Sequence, residues 1–137
     1  MKHVILLLIG LLAGAMGATV VVNTLRQRDA FARGLMDVMQ HHFASLREEI
    51  RAQRCDVTDS TQMKSAHAFA QLRVLADDIE PAIFADAIPE ASFREFTQRL
   101  NAALDAVPSP PPADCAALAP LVQKVGKVCD DCHQQYR

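Results

Sequence analysis

The sequence predicts an all-α chain: an antiparallel up-down-up-down four-helix bundle preceded by an N-terminal hydrophobic signal or anchor helix. Three observations carry this expectation. Apolar residues recur at steps of three and four in four separate blocks, which puts one apolar stripe on one face of each helix. No alternating strand pattern and no Asn-Gly hairpin signal competes. The connections between blocks are short, and short connections force neighbouring helices antiparallel. A chain of 137 residues, half of them apolar, buries one core. The expected division is residues 1–23 as signal peptide or membrane anchor and residues 24–137 as the bundle.

The N-terminal segment MKHVILLLIGLLAGAMGATVVV carries no charge from Val4 to Val22. As a helix that run spans about 28 Å, close to the hydrocarbon thickness of about 30 Å. Ala13-Gly14-Ala15 and Ala15-Met16-Gly17 are small-residue cleavage candidates of the kind found in a removable signal peptide. Arg26 and Arg28 beyond the run weaken the positive-inside case for an anchor, while its continuation to Val22 favours one. Either way the body is expected to be exported, into the periplasm, tethered to the inner membrane or soluble after cleavage. The membrane is then a partner through this segment.

In the first block Met36, Met39, Phe43, Leu46 and Ile50 form the stripe; in the second, Phe69, Leu72, Ala76, Ile79 and Ile83. The third has Phe93, Phe96, Leu100, Ala103 and Val107, and the fourth Leu118, Val122, Val125, Cys129, Cys132 and Tyr136. Asp and Ser residues between Cys55 and Ser60 separate the first two blocks, Pro81 to Pro89 marks a bend, and PSPPPAD precedes the fourth with Asp114 as a candidate N-cap. Pro120 suggests that the regular part of the fourth helix starts only near it. The net charge of −2 and a pI near 6.2 give no reason to expect nucleic acid.

The chemistry concentrates at the end, in Cys129-Asp130-Asp131-Cys132-His133. A C-x-x-C-H run lets two thiols close thioethers on a porphyrin while the imidazole binds its iron. On a helix these three side chains share one face, here the apolar stripe. Zinc would need two more ligands, and Cys115 lies about 21 Å away along a continuous helix. A thioredoxin-like pair would want a strand-helix context. Two buried cysteines with a satisfied histidine is the plain alternative.

RGLMDVMQHHF in the first helix, ASFREF in the third and GKVCDDCHQQYR at the end make residues 31–137 resemble the cytochrome c′ family and its low-spin, methionine-ligated relatives. The resemblance implies a four-helix bundle with one covalent haem c held by Cys129 and Cys132, His133 as axial iron ligand, and Met36 facing the iron from the other side. If Met36 binds, the iron is six-coordinate and suited to electron transfer; if it only packs, the iron is free to take a gas such as NO or CO. Redox partner proteins or a small gas ligand, and a homodimer, are further implications. Arg137 is implied near a propionate or the imidazole, with Arg33 a weaker candidate. The chain departs from the family in lacking a Trp before the third helix.

His41, His42 and His67 read as surface or interface residues, His67 without a partner in register. Cys55 ends the first helix and Cys115 begins the fourth, both about 27 to 29 Å from the motif level, so the two are expected to form a disulfide. No residue is placed for acid–base catalysis and no enzyme activity is expected. The leading expectation is therefore an exported c-type cytochrome; the alternative is a haem-free helical interaction module at the membrane surface.

Overall fold

The structure, a computed structural model, describes the chain except residues 1, 56–58, 86 and 137, and leaves undescribed the side chains of residues 2, 4–9, 13, 24–29 and 59–63. Five helices follow one another: α1 (Lys2–Arg51), α2 (Asp59–Asp77), α3 (Ile79–Phe84), α4 (Ala91–Asp105) and α5 (Cys115–Gln135).

The expected four-helix bundle with a separate leading helix is thus corrected to five helices among the described residues. The apolar N-terminal segment and the first amphipathic block form one unbroken helix, because nothing between them, neither Pro nor a glycine pair, stops the chain. The first part of the bend between the second and third blocks is itself helical, up to Phe84. Pro81 falls in the first turn of α3, where its missing N–H has no intrahelical partner to lose. Ile79 and Ala82 bury one side of this short helix, and Ala85, at φ 49°, ends it.

The membrane anchor expected over residues 1–23 lies partly on undescribed side chains. Among the described residues no helix is long and apolar enough to cross a membrane. The membrane as partner, the inner-membrane tether in the periplasm and the membrane-surface alternative are therefore not carried forward.

The four long helices form a ring in which α1 touches α2, α2 touches α4, α4 touches α5 and α5 returns to α1, while among the described residues the backbones of the diagonal pairs α1/α4 and α2/α5 do not come close. Apolar stripes face the centre, as burial requires: Leu46, Phe69, Leu104, Leu118 and Val125 are fully enclosed. The third helix packs on α1, α2 and α4 and closes one end.

Polar groups fix the elements to one another. The buried Ser65 hydroxyl on α2 donates to the Glu49 carboxylate on α1 at 2.8 Å. The Arg73 guanidinium donates to the Leu104 and Val107 carbonyls at 2.9 and 2.8 Å, satisfying acceptors that the end of α4 leaves open. Asp114 caps α5 by accepting from the Ala116 and Ala117 amides at 3.2 and 3.0 Å. With that cap in place α5 starts at Cys115, and Pro120 sits within it, so the looser lead-in expected before Pro120 is not found. Cys55 and Cys115 are disulfide-bonded, 5.1 Å apart at Cα, and pin the end of α1 to the start of α5.

Candidate functional site

Because α1 and α5 are joined at the disulfide and run antiparallel from it, the last turns of the shorter α5 lie beside the stretch of α1 around Met36. There the five helices line a partly open cavity of about 180 Å³. Met36, Met39 and Phe43 come from α1, Leu72 from α2, Ile79 from α3, and Phe96 and Leu100 from α4. The α5 wall is Val125, Val128, Cys129, Cys132 and His133. Each contributes through its helical step of three or four, so one face per helix builds the lining.

The structure thus gathers Met36, Cys129, Cys132 and His133 around one space. Cys129 and Cys132 are free thiols. Arg137 lies outside the described residues, and Arg33 does not line the cavity. Burial pushes the Cys129 thiol up to about 11, with the neighbouring Asp130 carboxylate and Cys132 adding to the rise. Burial also raises Cys132, partly offset by the Arg99 guanidinium. Both are protonated at neutral pH, and a protonated thiol is a polarisable apolar surface rather than a nucleophile.

Gln40, Arg47, Thr97 and Asp130 supply the polar part of the lining. Thr97 is buried, and its hydroxyl bonds the Glu80 carboxylate on α3. Arg47 sits 5.9 Å from the centre of the Phe43 ring. Arg99 stacks over Phe96 at 4.5 Å and reaches Asp131 at 3.8 Å, where Lys127 also binds at 3.0 Å. Tyr136 anchors the end of α5: its hydroxyl donates to Glu90 at 3.2 Å and bonds Ser92, and its ring stands edge-on to Phe93 at 5.1 Å.

Several of these residues carried no motif. Thr97 and Arg47 gave no signal in the sequence. Gly126 did, as an isolated glycine inside a helical pattern, which usually marks close packing: a Cβ there would lie 2.5 Å from Phe43 Cζ. The histidines are also rearranged. His67, expected to stand alone, has its ring 5.8 Å from that of His42, itself 5.6 Å from His41.

The chain matches no protein family, no curated protein and no solved structure. The resemblance to cytochrome c′ is corrected accordingly: it finds no support in any relative, and the helix order contains an additional element. A covalent haem c does not fit the site either. The cavity is about 180 Å³, below the roughly 300–1,000 Å³ of cofactor clefts, because the apolar side chains of α1, α4 and α5 already occupy the centre. Among the described residues no group of three or more His, Cys, Asp or Glu side chains gathers to hold a metal ion. The iron centre, the electron-transfer or gas-binding cytochrome function, the redox partners and the homodimer all depended on that resemblance and are not retained.

Proposed function

We propose that the chain is a binding domain for a small apolar molecule of about the size of benzene, held where Met36, Cys129, Cys132 and His133 meet. One observation carries this reading. The cavity holds about 180 Å³, and an apolar protein cavity of about 150 Å³ is large enough for benzene or xenon. The lining is mainly hydrocarbon and sulfur, which favours an apolar ligand over water.

The site binds without turning its ligand over. Its thiols are held protonated, Cys129 near 11, so neither is poised to attack, and the thioether of Met36 is chemically unreactive toward hydrocarbons. Six ring carbons buried at about 0.8 kcal/mol each give about 5 kcal/mol, a dissociation constant of order 0.1–1 mM.

Titration of the intact, disulfide-bonded chain with benzene, followed by NMR on the methyl groups of Met36, Met39, Leu72 and Val125, tests this. Saturable shifts confined to those methyls, and lost when Leu100→Phe fills the space, are expected. Absence of any saturable shift in the unmodified chain at about tenfold the expected dissociation constant removes the reading.

A further inference from the structure

Phe43 belongs to two spaces at once. Its ring lines the partly open cavity of about 180 Å³, and it also lines an outer groove of about 670 Å³ between α1 and α5, bordered by Ile50, Val122, Gly126 and Lys127. Arg47 and Asp130 also border both spaces, but Phe43 is the apolar side chain among the three. The ring reaches across to α5, where only the bare glycine lets it sit: a Cβ at Gly126 would stand 2.5 Å from Cζ and 3.3 Å from the adjacent ring carbon. The Arg47 guanidinium lies over the ring, 5.9 Å from its centre, and a cation over an aromatic face is attracted to it.

From this geometry we infer that Phe43 is the size-determining residue of the site: its ring is the wall that limits the ligand to one ring, and removing it joins cavity and groove into a single space for larger, fused-ring or elongated apolar ligands. The inference rests on the small-ligand reading above and adds which side chain sets the limit. Shortening Phe43 leaves the other walls, Leu100, Val125 and Cys129, in place.

The experiment compares benzene and naphthalene binding by the unmodified disulfide-bonded chain, Phe43→Ala and Phe43→Leu, with helical content checked by circular dichroism. The expected result is benzene binding and no measurable naphthalene binding in the unmodified chain. Naphthalene affinity should rise at least about tenfold in Phe43→Ala, from the added carbons buried, with a smaller rise in Phe43→Leu. Phe43→Leu decides the matter if the alanine variant does not fold. Equal affinity of the unmodified chain for both ligands, or a folded variant that still refuses naphthalene, overturns the role of Phe43 while leaving the binding site standing. Failure of the unmodified chain to bind benzene overturns the small-ligand reading itself.

Discussion

Phe43 on α1 and Gly126 on α5 pack so closely that no side chain fits between them, with only 2.5 Å from the ring tip to a would-be Cβ. Gly126→Ala should therefore destabilise the chain. Overpacking costs about 1–3 kcal/mol, offset by about 1 kcal/mol of helix propensity, for a net loss of about 1 kcal/mol in urea denaturation. Combining it with Phe43→Ala should remove most of the penalty, since the two effects share one contact.

The disulfide closes a loop spanning 60 residues. In the chain-entropy description such a link stabilises by about 4 kcal/mol. Replacing both Cys55 and Cys115 by Ala should lower the denaturation free energy by about that amount. Reductant should lower the melting temperature of the unmodified chain but not of the double variant, because Cys129 and Cys132 are already thiols.

Native-state alkylation reads the buried thiol directly. With Cys129 raised from 9.0 to about 11, its thiolate fraction at pH 8 is about 100-fold below that of a free cysteine. Its reaction with iodoacetamide should be slower by about that factor and should accelerate tenfold per pH unit up to about 11. Unfolding in urea should abolish the difference.

His42 makes the α1/α2 seam sensitive to acid. Burial, followed by the neighbouring His41 on α1 and His67 on α2, lowers its proton affinity. A histidine depressed in the folded state binds fewer protons there than when unfolded, so stability falls as pH drops below about 6.5 and levels off below the folded value. Above about 6.5 it contributes no slope. His42→Gln should flatten this part of the stability profile measured by denaturant titration between pH 7.5 and 5.

How much of this was legible beforehand depends on what each residue's spacing can specify. The helical steps identified the apolar faces around Leu46, Phe69, Leu100 and Val125, all of which are buried or line the cavity. Counting along two antiparallel helices put Cys55 and Cys115 at one height. The motif Cys129, Cys132, His133 was visible, but its spacing led to a haem-sized site that the packed helices do not provide.

The sequence by itself determined where the chain is helical over its long blocks, which faces are apolar, and that the two terminal thiols share a face with His133. Periodicity decides this because side-chain direction repeats with the helical turn. Only the tertiary structure decided that Ile79–Phe84 forms a fifth helix, that His67 meets His42, that Phe43 seats against Gly126, and how much room remains at the centre. Those outcomes follow from how far apart helices settle and how they rotate about their axes. Interdigitating side chains from several helices fix both, and no single stretch of sequence contains that information.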